Sequence, residues 1–478
     1  VKSIRQPVQT ILDMDATELA GKIANKEITS RQATEAFIEQ INKVNPIVNC
    51  MVENRFGKAM LEADEVDRRI AAGHSGGKLF GVPIGMKEAF DVEGMQTTGG
   101  LLRRQGAISY KDAEVVRKLK AEGAIILGKT NTPELCFCQE TDNKLYGRTN
   151  NPHDLTRTVG GSSGGEAALI AVGGAAAGLG SDIGGSIRFP SHFNGVVGFK
   201  SGKGRVSSAG SYPAIHHDLQ ERMLGIGPIT KTVRDARMMY YIVAEEPARE
   251  KELETFTVNV LPETDYPLSL ATAHLLDSVY AAGFGHFPME REVPAFFHES
   301  SLLWQEIMSI DGAEKVAQEA FGEAAVRPMR AYVTERLTGN SPIHRYLSWG
   351  LTGTSLFKPS EKRLKKIRRL IREGDHLLDY YLDERILVFP VYHTAAPKHG
   401  VVFNEIFSLN KTFRKYMPYV AFANVWGLPS LTVPVGQDKD GMPIGIQLIS
   451  RNGNEEALFT LGEWVEKHYS GYTRAELK

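Results

Sequence analysis

The stretch VGGSSGGEAALIAVGGAAAGLGSDIGGSIRFPSHFNGVVGFKS, Val159 to Ser201, concentrates glycine and serine at a density unlike the rest of the chain. Three uses fit such a stretch: a flexible linker, a phosphate cradle or a catalytic loop. A linker is polar and lacks long apolar segments. AALIAVGGAAAGLG, residues 167–180, instead reads as a small-residue helix or strand pair suited to close packing inside a core. A phosphate cradle needs G-x-x-x-x-G-K-[ST], or G-x-G-x-x-G at a strand–helix junction. In GVVGFKS, Phe199 separates the glycine from Lys200, and glycines 178, 180 and 184 make only a loose variant of the second pattern. The catalytic loop is what remains.

Two serines compete inside it. Ser163 sits in the middle of a formal G-x-S-x-G, the nucleophile elbow, which calls for a strong apolar strand before it and a histidine partner. The preceding DLTRTV is polar, and none of the 13 histidines stands in a context that ties it to the loop. His192, in FPSHFNG, reads as an ordinary loop or core-edge histidine. Ser186, in SDIGGSIRFP, has better chemistry. Gly184 and Gly185 open backbone angles closed to other residues, so successive N–H groups can converge on one anion beside the Ser186 hydroxyl. What Ser186 still needs is a base.

The rest of the chain frames that block. The 478 residues suffice for one large or two to three ordinary domains. At 42% hydrophobic and 24% charged, the composition is that of a globular protein, and 56 basic against 57 acidic residues give no reason to expect a nucleic-acid partner. No run of 18 uncharged apolar residues predicts a transmembrane helix. The start, VKSIRQPVQTILDMDATEL, lacks the apolar core and cleavage site of a signal peptide, and with no initiator Met a leader removed beforehand stays open. Cys50, Cys136 and Cys138 are too few for a disulfide framework, and one C-x-C without a second pair makes no zinc site; a cytoplasmic protein without metal is expected.

The first 75 residues read as helices, one of them capped by Asp15 with Leu19, Ile23 and Ile28 on one side. Leu79 to Met86 predicts a buried strand. DAEVVRKLKAEGAIILGKTN predicts a helix capped by Asp112 and stopped at Gly123, then a buried strand at Ala124 to Leu127. LPSLTVPVG and MPIGIQLIS predict two more strands, followed by a helix capped by Asn454. This alternation is the α/β pattern, and strands near both ends of the chain suggest one sheet closed late. Residues 245–385 change texture: glycine thins and helices dominate, as expected of a helical insertion covering a substrate pocket. Within it, KRLKKIRRLIR carries seven basic residues with Leu364, Ile367 and Ile371 along one face. A solvated helix face is its ordinary meaning, and a membrane-surface helix the other reading.

GGSSGGE followed by GSDIGGSIRFPSHFNGVVGFK resembles the signature of the amidase signature family of serine hydrolases. The resemblance extends upstream to FGVPIGMKEAFDVEGM and downstream to ANVWGLPSLTVPVG and GMPIGIQLIS, roughly residues 15–240 and 385–470. KEAF, NKLYGRTNNPHDL and DIGGSIRFP are closest to its fatty-acid amide hydrolase branch. Glu88 after Lys87, where many members carry Asp, leans the same way.

The resemblance implies a single α/β domain over residues 1–478, with a large mixed sheet flanked by helices. It implies that Lys87 is the base, Ser162 a bridging serine held through a cis peptide, and Ser186 the nucleophile. Lys87 and Ser162 lie 75 residues apart, and Ser162 and Ser186 lie 24 apart, as the family pattern requires. Ile183, Gly184, Gly185 and Ser186 match the oxyanion hole. Cys136 and Ser162 match substrate contacts, and Asp182 and Arg188 are expected to support the loop by a salt bridge.

The physics of the pair is independent of the family. A serine is a poor nucleophile until something takes its proton, and lysine can do so only when burial keeps it neutral. Taken alone, a lysine here is an ordinary surface residue and a serine in a glycine loop an ordinary turn former; three matches at two spacings outweigh both readings. The implied activity is hydrolysis of small-molecule amides to an acid and an amine or ammonia, with no cofactor. Two alternatives stand beside it: the catalytic subunit of a glutamyl-tRNA(Gln) amidotransferase, and a binding protein that kept the fold. Loss of Lys87, Ser162 or Ser186 would mark the latter, and all three are present. A homodimer stays open.

Overall fold

The computed structural model describes residues 8–246, 253–265, 267–322, 327–407 and 413–477. Its strands form where short apolar and β-branched runs are bounded by glycine and proline. In chain order they are Met51–Asn54 (β1), Pro83–Lys87 (β2), Ile125–Thr130 (β3), Asn150–Asn151 (β4), Asp154–Thr158 (β5), Ala177–Asp182 (β6) and Val197–Lys200 (β7). Gly225–Thr230 (β8), Thr257–Val260 (β9), Met289–Glu290 (β10), Arg385–Pro390 (β11), Ser430–Gln437 (β12) and Pro443–Ile449 (β13) follow. Eleven of these make one sheet, ordered β1-β3-β2-β6-β8-β7-β12-β13-β11-β9-β10, with β4 and β5 paired separately. β2 runs parallel to both β3 and β6, β11 is parallel to β9, and β6, β8, β7, β12 and β13 alternate antiparallel. The sheet is mixed and flanked by helices, as the α/β reading required.

The strand expected at Leu79 to Met86 starts later, at Pro83, because Leu79 to Val82 are taken up in a turn; the one expected at Ala124 to Leu127 runs on to Thr130. β12 and β13, from the C-terminal part of the chain, lie inside the sheet between β7 and β11. Residues 245–385 carry the expected helices but also two strands: the short TVNV of β9 pairs with β11, and β10 lies at the sheet's edge. Within this segment the helix Glu361–Tyr381 turns Ile367, Ile371 and Leu378 inward and pairs Arg363 with Glu306 and Arg368 with Asp218. Its apolar face is spent on the core, which leaves its basic face to solvent and ion pairs. No described helix is long and apolar enough to cross a membrane.

Candidate active site

In open α/β sheets, chemistry gathers at the carboxyl ends of parallel strands. β2 and β6 are parallel neighbours, with Ile84 opposite Ala177. Three residues beyond Ile84, Lys87 ends β2. β6 ends at Asp182 and leads through the turn 183–187 into the helix Arg188–Asn194. The helix Gly164–Ala171 precedes β6, and the turn ahead of it carries Ser162 and Ser163. The Gly161–Ser162 peptide is cis. The Ser163 N–H donates to the Ser186 carbonyl at 3.0 Å, tying the two serine loops together.

Lys87 is fully buried, and its Nζ donates to Ser162 Oγ at 2.7 Å and to Ser181 Oγ at 3.0 Å. Burial lowers the Lys87 pKa from the ordinary lysine value, although Cys136, Asp182 and Glu166 pull the other way. Ser163, the centre of the elbow pattern, is fully buried, and its hydroxyl is engaged with the backbone of Ser181. Ser186 by contrast faces open space on two sides.

The turn after β6 is held by a buried ion pair. Arg188 Nε and Nη2 meet Asp182 Oδ2 and Oδ1 at 3.0 Å each, with both side chains fully buried. Burial alone would raise the Asp182 carboxyl; the Arg188 guanidinium beside it overrides this and holds it below the usual carboxylate range. Asp182 also accepts the N–H groups of Gly185 at 2.8 Å and Ile187 at 3.1 Å. Of the four N–H groups expected to face an oxyanion, that of Gly185 is spent on Asp182, whereas no acceptor among the described residues faces those of Ile183, Gly184 and Ser186. The glycine requirement is revised. Only Gly185 has a positive φ, 92°, whereas Gly184 is needed for space, since a Cβ there would stand 2.6 Å from the Trp304 ring.

Two lobes of open space meet at Ser186. One, of about 860 Å³ with its mouth included, runs among Phe137, Trp304, Met308, Trp349, Phe357 and Phe407, and none of its lining residues is charged. The other, of about 1460 Å³ with the open solvent at its mouth included, is lined by Ser162 and Ser181 together with His216, Gln220, Asp311 and Glu319. Cys136, Phe137, Ile183, Ser186 and Met308 belong to both. Cys136 and its neighbour Leu135, in a short 3-10 turn after β3, adopt left-handed backbone, φ 56° and 54°. His192 is buried, its Nδ1 accepting the Gly445 N–H at 2.8 Å and its Nε2 donating to the Thr394 carbonyl at 2.9 Å, and burial lowers it to about 4. It stands apart from the serines' hydrogen bonds, in accord with a structural role. Among the described residues no group of three or more His, Cys, Asp or Glu is placed to hold a metal ion.

Sequence reasoning missed Ser181, Glu166 and the walls of both lobes. Ser181 directly precedes the aspartate of the motif, and the alternation along β6 was the signal that could have placed it beside Lys87. The apolar lobe's wall is seated by two buried carboxyls far from the motifs. Glu134 accepts the His344 N–H at 2.7 Å, and Glu140 accepts those of Gly400 and Phe403. Burial raises them to about 8 and about 7.

The family description Amidase matches residues 32–298 and 283–459. Fatty-acid amide hydrolase 2-B of Danio rerio is 32% identical over 97% of this chain and 90% of its own length. A glutamyl-tRNA(Gln) amidotransferase component from Lachnospira eligens is 31% identical over 96% of this chain and 98% of its own. Among solved structures, 6-aminohexanoate cyclic dimer hydrolase complexed with substrate superimposes with a TM-score of 0.81 at 23% identity, covering 98% of this chain and 99% of that one. With a family match over most of its length and relatives above 30% identity, the chain belongs to the amidase signature family and is an amide-hydrolysing enzyme.

Proposed function

We propose that the enzyme hydrolyses N-acyl amides with apolar acyl chains through an acyl-enzyme on Ser186. The observation that carries the reading is the 2.7 Å contact between a fully buried Lys87 amine and Ser162 Oγ, beside Ser186 at the junction of the two lobes. Neutral Lys87 takes the Ser162 proton as Ser162 takes that of Ser186. The Ser186 oxygen then attacks the carbonyl carbon, and the oxyanion accepts hydrogen bonds from the N–H groups of Ile183, Gly184 and Ser186. The proton returns from Lys87 through Ser162 to the amine nitrogen, the C–N bond breaks, and water repeats the sequence on the ester.

Ser162, which protonates the leaving amine, opens on the polar lobe. The amine therefore departs there, and the acyl chain occupies the apolar lobe. An apolar acyl group agrees with the named activity of the fatty-acid amide hydrolase relatives. A glutamine substrate, as the amidotransferase relatives suggest, would put its ammonium and carboxylate into a lobe with no charged lining residue. Three free thiols support a cytoplasmic compartment.

Treatment with a fluorophosphonate followed by mapping of the adduct tests the nucleophile. One adduct is expected on Ser186, absent from Ser186→Ala and retained in Ser163→Ala; labelling of Ser163 instead would reject the reading. The pH profile tests the base. Activity should rise with pH as Lys87 loses its proton, with a midpoint below the ordinary 10.5 because burial disfavours the ammonium. Lys87→Ala should lose that limb and about 10³-fold or more in kcat.

A further inference from the structure

Two glycines interrupt the helix Arg345–Leu356, at positions 350 and 353. Each costs a helix interior about 1 kcal/mol relative to alanine, so each needs a reason. Packing supplies one for Gly350, where a Cβ would stand 2.6 Å from the Phe137 ring. For Gly353 packing supplies none: a Cβ there would meet no atom within 4 Å, and its backbone lies outside the left-handed region. Trp349, Gly350, Gly353, Leu356 and Phe357 recur at the spacing of one helical face, and all five line the apolar lobe. Gly353 is the middle of that face, and the empty space is the lobe itself. The wall is fixed in place, with the Trp349 Nε1–H donating to the Phe407 carbonyl at 2.9 Å and the Glu134 carboxyl holding the His344 N–H ahead of the helix. Beyond Gly353 the exposed Leu356 and Phe357 mark the lobe's mouth.

We infer that Gly353 determines how long an acyl chain the enzyme accepts, because its missing side chain is the room through which a long chain passes along the wall. The inference rests on the proposal that Ser186 is acylated with the acyl chain in the apolar lobe. A side chain at 353 would narrow the lobe without disturbing the core.

The test is a series of N-acyl p-nitroanilides from acetyl to palmitoyl, with wild type, Gly353→Ala and Gly353→Leu, alongside fluorophosphonate labelling of each. In Gly353→Leu the ratio of kcat/KM for the palmitoyl to the acetyl anilide should fall about tenfold or more. Gly353→Ala should shift the ratio in the same direction by less, and it keeps the test available if the leucine variant does not fold. A loss equal at every chain length, an unchanged ratio, or a wild type that rejects long chains would overturn the inference while Ser186 is still labelled. If Ser186 of the wild type is not labelled, the nucleophile proposal fails and this inference falls with it. If length dependence follows the amine instead of the acyl group, the assignment of the lobes is overturned.

Discussion

Glu166 shows how far a residue's chemistry can depart from its local setting. A glutamate in the first turn of a helix ordinarily faces solvent and the helix dipole. Here it is fully buried, with Oε2 at 2.7 Å from Thr130 Oγ1 and Oε1 facing no donor, over Gly85 and Gly178, where any Cβ would collide with it. The Thr130 hydroxyl has one hydrogen and two acceptors in reach, Glu166 Oε2 and, at 3.4 Å, the Met86 carbonyl. A carboxylic acid that donates to Thr130 while Thr130 donates to Met86 satisfies both. Burial accordingly raises this carboxyl from 4.5 to about 8. Between those values the unfolded chain has released a proton that the native state keeps, so stability falls as pH rises, by about 1.4 kcal/mol per pH unit. Glu166→Gln cannot ionise and loses that dependence. Its urea midpoint should gain on the wild type between about pH 5 and about pH 8; parallel curves would refute the neutral acid.

At the scale of elements, the turn 183–187 is shaped by a helix more than a hundred residues later. Trp304, on the helix Glu299–Met308, donates its Nε1–H to the Ile183 carbonyl at 2.7 Å and lays its ring against Gly184. Gly184→Ala should therefore cost about 1–3 kcal/mol in thermal denaturation and slow fluorophosphonate labelling of Ser186. Normal labelling in the variant would mean that the turn tolerates the shift. Helix ends teach the same lesson. Asp15 caps its helix as its sequence predicts, accepting the Glu18 N–H. Asp112 does not cap: Ala113 occupies that position, while the Asp112 carboxylate binds Lys120 and the Glu93 N–H. Asn454 stands at the cap position, but its amide donates to the carbonyls of Leu382 and Asp383. Asp15 caps and pairs with Arg234 at once, so what decides is where the tertiary partners stand, and that is what the sequence leaves out.

Across the whole molecule, Arg188 joins the serine loops to the C-terminal part of the sheet. Besides Asp182 it reaches the Val420 carbonyl, Asn424 Oδ1 and Gln447 Oε1, at 3.0, 2.6 and 2.8 Å, so one guanidinium links β6 to β13 and the helix before β12. Arg188→Met fills much of the space but leaves Asp182 as a buried unpaired charge. It should destabilise the protein by about 3–5 kcal/mol in urea denaturation. A loss below about 1 kcal/mol would show that the pair is dispensable to the fold.

The α/β class and the buried strands were legible in the sequence, because periodicity is a local property of the chain; Lys87 and Ser162 were picked out by the resemblance to a family motif, and the fold sets them 2.7 Å apart. The tertiary structure alone decided that β12 and β13 enter the sheet's interior, and that Ser181 and Glu166 stand around Lys87. It alone decided that residues from 299–310 and 345–357 enclose an uncharged lobe at Ser186. Pairing partners depend on which faces meet across hundreds of residues. A pocket is space that packing leaves unfilled, and no local pattern of residues encodes it.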